Sequence, residues 1–256
     1  MGCDRHIGGR PSQQDRTLCC ASPDHSTRLL VVADGVGGHW GGELAAQTVV
    51  DVARSDFETT AQPPADPPAF LEALCQRANA EIRSRAGEHD EEAFSTIAAL
   101  LVTPERAYWA HVGDSRLYCF RDGQLVYRTR DHSMVQAMVD GGELAATDMA
   151  DHPDRNQLLQ VLGMEETVRP AQGQMSITPR MTFVLCSDGF WDSIEPRAMV
   201  ADIRHARDLP QAASAWVHKA VRRGGEQGDN VSLAVWRSES PGWLARLLGS
   251  LRRLSA

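Results

Sequence analysis

A single lysine, Lys219, stands among the 256 residues, and it lies between His218 and Ala220 rather than in the Gly-Lys-Ser/Thr stretch of a phosphate-cradling loop. Nucleotide hydrolysis by that route is excluded. Cys-x-x-Cys spacing is missing as well: the six cysteines fall at 3, 19, 20, 75, 119 and 186, so neither a thiolate zinc site nor a dithiol redox centre is read. With no secretory leader ahead of them, these thiols fit a reducing cytoplasm. No apolar run approaches the roughly 20 residues that cross a bilayer; the longest, residues 29–33 and 97–102, have the length of strands. Basic residues are outnumbered 26 to 34, and a net charge of -8 has the wrong sign for a surface that neutralises nucleic-acid phosphates. The start Met1-Gly2-Cys3 is similar to an acylation signal, but His6 occupies the position that such a signal gives to Ser or Thr.

What is present reads as one folded domain. Hydrophobic residues make up 42% and charged residues 23%, too apolar a mixture for a disordered chain. The Pro-rich stretch 62–68 is a loop between two helical patterns and not a boundary between domains. A buried strand is predicted over residues 28–33, ending in Asp34-Gly35, and helices over 43–54 and 68–85. The second helix carries a stripe of Phe70, Leu71, Leu74, Cys75, Ala78 and Ile82 at 3.6-residue spacing. Runs at 95–103, 107–112, 117–120 and 125–127 read as an antiparallel meander, with Asp122-Gly123 closing a hairpin. Residues 132–162 turn helical and polar. Strands return at 175–177 and 182–186, then helices at 196–204 and 211–223, then a closing strand at 231–236. Strands and helices are segregated along the chain, which indicates an α+β layered fold rather than repeating βαβ units. A dinucleotide fold at Gly35-Val-Gly37 fails for the same reason, and because Trp40 replaces the third glycine.

Four acidic residues share one context. Asp34 precedes Gly35, Asp114 follows Gly113, Asp188 precedes Gly189 and Asp229 follows Gly228, and each borders a predicted strand. A lone Asp-Gly is usually a turn, as Asp122-Gly123 is taken to be. Four at strand ends of packed sheets place four carboxylates on one edge, where their repulsion calls for neutralising cations. Carboxylate, carbonyl and water ligands suit magnesium or manganese, whereas zinc would want His and Cys clusters. The glycines permit sharp turns, and a carbonyl beside Asp34 is a further candidate ligand.

Arg10-Pro-Ser-Gln-Gln-Asp15, Val32-Ala-Asp34-Gly-Val-Gly-Gly-His39, Val112-Gly-Asp114-Ser-Arg116, Cys186-Ser-Asp188-Gly189 and Gly228-Asp229-Asn230 together resemble, in order and spacing, the signature of the metal-dependent type 2C protein phosphatases. The resemblance covers about residues 5 to 237. It implies a four-layer αββα sandwich of two antiparallel sheets flanked by helices, and a catalytic domain spanning residues 1–238. A helical flap over about 132–162 would lie beside the metals. It also implies hydrolysis of phosphoserine and phosphothreonine in proteins. By the same resemblance Asp34, Asp188 and Asp229 hold one Mn2+ or Mg2+ ion. Asp34 bridges to a second, which also takes the Gly35 carbonyl and, through water, Asp15. Asp114 and Asp188 share a third, weaker one. Arg10 would grip the substrate phosphate with its planar guanidinium. Two such metals about 4 Å apart activate a water near neutral pH and neutralise charge on the phosphoryl group.

The sequence departs from the family pattern at several places. Val36 stands where animal members place a proposed general-acid histidine, and His39 farther along the loop is not assigned that role. Gln14 replaces a common Asn, and Phe94-Ser95-Thr96 occupies a usually glycine-rich position. His111 is read as a hydrogen-bonded core residue, and the methionines and Trp191 as packing. Residues 239–256 lie beyond the resemblance. There Trp243, Leu244, Leu247, Leu248, Leu251 and Leu254 share one helical arc opposite Arg246, Arg252 and Arg253, a basic amphipathic tail for which docking on its own domain, binding a partner and touching an anionic surface are open, the first being favoured.

Cysteine-based phosphatases need C-x5-R, which no cysteine here satisfies. Two alternatives stay open at this point: a pseudophosphatase that binds phosphoproteins without turnover, and a metal-dependent phosphodiesterase. Partners are expected to be phosphorylated proteins of a bacterial Ser/Thr kinase. Asp131-His-Ser133 and His152-Pro-Asp-Arg-Asn156 are similar to the subgroup associated with type VI secretion, with forkhead-associated proteins among its substrates. A monomeric, cytoplasmic form is expected.

Overall fold

Leu29, Val31 and Ala33 face one way and Leu30 and Val32 the other, and all five are buried, so the strand they form has a core on each side. A computed structural model, describing residues 1–37, 40–89 and 92–238, shows how that arises. Its strands are β1 (Gly2–His6), β2 (Arg16–Ala21), β3 (Arg28–Ala33), β4 (Gly35–Val36), β5 (Phe94–Ser95), β6 (Ile97–Val102), β7 (Arg106–Val112), β8 (Arg116–Arg121), β9 (Gln124–Arg128), β10 (Ala171–Ser176), β11 (Met181–Cys186) and β12 (Val231–Arg237). Its α-helices are α1 (Gly41–Thr59), α2 (Pro67–His89), α3 (Met134–Asp140), α4 (Asp188–Trp191), α5 (Pro196–His205) and α6 (Leu209–Gly224).

One antiparallel sheet runs β1-β12-β11-β8-β9 and the other β10-β7-β6-β3-β2. Three apolar cores follow from the two-residue alternation of their strands. Leu30, Val32, Leu100, Leu117, Phe183 and Leu185 meet between the sheets. Leu29, Val31, Leu101, Leu71, Leu74 and Ile82 fill the space between the second sheet and α1 and α2. Phe120, Val184, Leu233, Met199, Trp216 and Val217 do the same between the first sheet and α5 and α6. The expected four layers, helix–sheet–sheet–helix, are what form. Asp208 begins α6 by accepting a hydrogen bond from the Gln211 amide, and Pro210 at its start needs no amide partner. No described helix is long and apolar enough to cross a membrane.

The meander does not form. β6 and β7 pair in one sheet while β8 and β9 pair in the other. The chain crosses between sheets at Gly113, whose φ of +92° turns the backbone at Asp114. Periodicity marks a strand but not its partner, so the crossing was invisible in the hydrophobic pattern. The run 95–103 likewise breaks at Thr96, whose amide leaves the ladder to bond the Asp34 carbonyl at 2.8 Å. The Asp122-Gly123 hairpin is as expected, with φ of +51° and +74°. Segment 132–162 is helical only at α3 and a short 3-10 turn, Met149–Asp151. His39 and the tail 239–256 fall outside the described residues.

Candidate metal centre and active site

Five acidic residues arrive from five junctions. Asp15 immediately precedes β2, Asp34 follows β3, Asp114 sits in the turn between β7 and β8, Asp188 opens α4 just after β11, and Asp229 comes just before β12. A cavity of about 730 Å³ is lined by Arg10, Asp34, Gly35, Asp114, Asp188 and Asp229. These four carboxylates are half-buried. Asp15 is fully buried beneath them; its Oδ2 accepts from Ser187 Oγ at 2.7 Å, and its Oδ1 has no hydrogen-bond partner. Every site residue expected from the sequence therefore lies in or directly beside one cavity.

Local backbone chemistry explains the convergence. Gly8 adopts φ of +65°, and a Cβ there would lie 1.9 Å from the Asp229 carbonyl oxygen, so only glycine lets the Arg10 turn lie against the Asp229 loop. The Gly9 amide then bonds the Gly228 carbonyl at 2.8 Å. A Cβ on Gly35 would meet the Gly42 carbonyl oxygen at 2.0 Å, which fixes the close approach of β4 to the start of α1. Asp34 is held from both ends of its peptide unit: its amide donates to Thr96 Oγ1 at 3.1 Å, and its carbonyl accepts from the Thr96 amide and from Ser95 Oγ.

Burial together with repulsion dominates the electrostatics. Asp34 is held well above the usual carboxylate range by burial first, then by Asp15, Asp188, Asp114 and Asp229. Burial is also the main cause of the upward shifts of Asp114, Asp15 and Asp188; Asp188 adds to the first two, and Asp229 to the third. Arg10 Nη2 reaches Asp229 Oδ2 at 2.7 Å from an exposed position at the cavity rim. Among the described residues no three acidic, His or Cys side chains close into a ready-made cation cage. The carboxylates ring a cavity rather than a point. An oxygen-only donor set, an orphaned buried carboxylate oxygen and repulsion that one rim arginine, Arg10, only partly offsets nevertheless fit a hard divalent cation.

Several residues of this site were not singled out from the sequence. Asn230 Oδ1 accepts from the Gln14 amide at 2.7 Å, and its Nδ2 donates to the Ile7 and Ser12 carbonyls, so one side chain ties the Arg10 loop to the Asp229 loop. Ser187 Oγ accepts from the Ser232 amide while bonding Asp15. Both adjoin a motif aspartate, which was the available signal. Trp191, read as packing, donates from Nε1 to the Asp114 carbonyl at 3.1 Å, and the Arg116 guanidinium sits 3.4 Å from its ring centre. His111 is a core residue, as expected. It is buried, in contact with the Arg130 carbonyl at 2.8 Å and stacked on His132.

Arg116 also forms a buried fork with Asp131, Nε to Oδ1 at 2.9 Å and Nη2 to Oδ2 at 2.6 Å, which anchors the start of segment 132–162 behind Asp114. Asp131→Asn leaves that guanidinium buried without a counter-charge, and urea unfolding is expected to show a loss of about 3–5 kcal/mol. A loss under about 1 kcal/mol would mean that water already compensates the pair.

The family model described as protein phosphatase 2C matches residues 4–222. The serine/threonine protein phosphatase PstP of Mycobacterium tuberculosis is 32% identical over 231 residues, 88% of this chain and 44% of that protein, so the chain spans less than half the length of this relative. A crystal structure of the catalytic domain of PstP in complex with two manganese ions has a TM-score of 0.78 at 29% identity, covering 91% of this chain and 95% of that one. PppA, described as a key regulatory component of the type VI secretion system in Pseudomonas aeruginosa, gives a TM-score of 0.77 at 28% identity, covering 93% and 96%. Matched over most of its length and sharing the paired antiparallel sheets flanked by helices, this chain belongs to the protein phosphatase 2C family.

Proposed function

We propose that residues 1–238 form a metal-dependent phosphatase acting on phosphoserine and phosphothreonine in proteins. The observation that carries this reading is the convergence of Asp34, Asp114, Asp188 and Asp229 on one open cavity with Arg10 at its rim. Asp34, Asp188 and Asp229 would hold one ion. Asp34, the Gly35 carbonyl and, through water, Asp15 would hold a second, and Asp114 with Asp188 a third, weaker one. When bound, Mn2+ or Mg2+ supplies Lewis acidity, favouring a nucleophilic water near neutral pH and neutralising phosphoryl charge. The manganese complex of PstP supports the choice of metal. Arg10 Nη2 pairs with Asp229 Oδ2 at 2.7 Å, which keeps its guanidinium charge at the cavity rim. With Asp229 committed to a metal, the planar guanidinium of Arg10 would be free to bind two phosphate oxygens.

Similarity to PppA supports a type VI secretion setting, and the proposal places the enzyme in the cytoplasm as a monomer that opposes a bacterial Ser/Thr kinase. Forkhead-associated proteins are the proposed substrates there. Phosphate release from a phosphothreonine peptide in Mn2+, abolished by EDTA and not matched on bis(p-nitrophenyl) phosphate, is the expected result. Peptide binding without release would indicate a pseudophosphatase, and preference for the diester a phosphodiesterase. Arg10→Ala is expected to raise KM for the peptide about tenfold with a smaller change in kcat, in keeping with loss of a charge-assisted hydrogen bond. An unchanged KM would remove Arg10 from the site.

A further inference from the structure

We propose that the enzyme selects phosphoproteins whose phosphorylated residue is flanked by a large apolar side chain, which packs on an apolar wall of the cavity. The inference rests on the phosphatase reading and adds to it a class of substrate. The wall is continuous in the backbone. Val36 of β4 is the direct cross-strand partner of Phe94 of β5, and Ser95 in turn bridges to Leu162, which brings residues 158–164 alongside. Val36, Phe94, Leu158, Val161 and Met164 all line the cavity that holds the carboxylates.

Core packing accounts for only part of this wall. Val161 is buried and Phe94 and Leu158 are half-buried, but Val36 is 37% and Met164 40% exposed. These two hold apolar surface in water at the edge of an otherwise acidic site. A protein that brings its phosphate to Arg10 and the carboxylates must lay the adjoining residues over the cavity rim. An apolar neighbour there covers Val36 and Met164, whereas a charged one loses water against them. Methionine adapts its shape to different aliphatic or aromatic occupants.

The test uses matched phosphothreonine peptides that differ at one position, from two residues before to two after the phosphothreonine, carrying Leu, Ser, Asp or Lys, with Mn2+ present. Leu at one of these positions is expected to raise kcat/KM about tenfold over Ser, mainly through KM, as half-burying a leucine side chain would. Val36→Ser and Met164→Ser are each expected to shrink that ratio below about threefold. The ratio is internal to each variant, so a general loss of activity does not imitate the result, and the wild-type comparison stands alone if a variant fails to fold. Equal rates for Leu and Ser at every position would overturn the inference alone, as would variants that keep the full ratio. Failure to hydrolyse any peptide or p-nitrophenyl phosphate would overturn the phosphatase reading and this inference with it.

Discussion

Asp34→Ala is expected to lower metal-dependent phosphate release by roughly a thousandfold, and Asp188→Ala by a similar factor, on the scale seen when a preorganised electrostatic group is removed from a transition state. Asp34 is the carboxylate that feels all four others, so its loss removes the charge that any bridging arrangement needs. The fold should survive, because the Asp34 backbone amide and carbonyl, which the substitution leaves in place, hold the residue to Ser95 and Thr96. The same substitution should raise the melting temperature of chelator-treated protein by a few degrees, since it relieves repulsion. Phosphate release and thermal melting on one protein batch check both. Undiminished metal-dependent turnover in Asp34→Ala or Asp188→Ala would refute the assignment.

The second large effect concerns pH. Asp15, Asp34, Asp114 and Asp188 all have folded-state values above those of an unfolded chain, Asp15 at about 7 and Asp114 at about 8. Between the unfolded value near 4 and these raised values the native metal-free state binds more protons than the unfolded one. Stability therefore falls as pH rises through that window. Melting in EDTA is expected to drop by about 5 °C or more from pH 5 to pH 8, and Mn2+ to restore more at pH 8 than at pH 5, because the cation binds the ionised form. A metal-free melting temperature that stays flat or rises over that range would show that these carboxylates are not held above their unfolded values.

Much of this site was legible in the residues because its chemistry is written in short local patterns. Each aspartate sits beside a glycine or a strand end, and that context survives without knowledge of which strands are neighbours. Long-range pairing was not legible. The run from residue 95 to 127 read as one meander, yet the turn at Gly113 sends β7 and β8 into different sheets, and that crossing is what places Asp114 over the cavity. The edge strands β1 and β2 were missed because their mixed polar and apolar residues lack a clean alternation, and only packing against β12 and β3 makes them strands. Trp191 reads as packing from the sequence because apolar side chains at helical spacing usually pack. Its role in holding the Asp114 carbonyl depends on Arg116, which is 75 positions earlier in the chain.

Calorimetric titration of the chelator-treated chain with manganese reaches the heart of the matter, since everything rests on carboxylates from separate strands gathering divalent ions. Uptake of at least two Mn2+ per chain is expected, retained as two in Asp114→Ala and lost in Asp34→Ala. No heat of binding at millimolar Mn2+, or the same uptake in Asp34→Ala as in the unaltered protein, would contradict it.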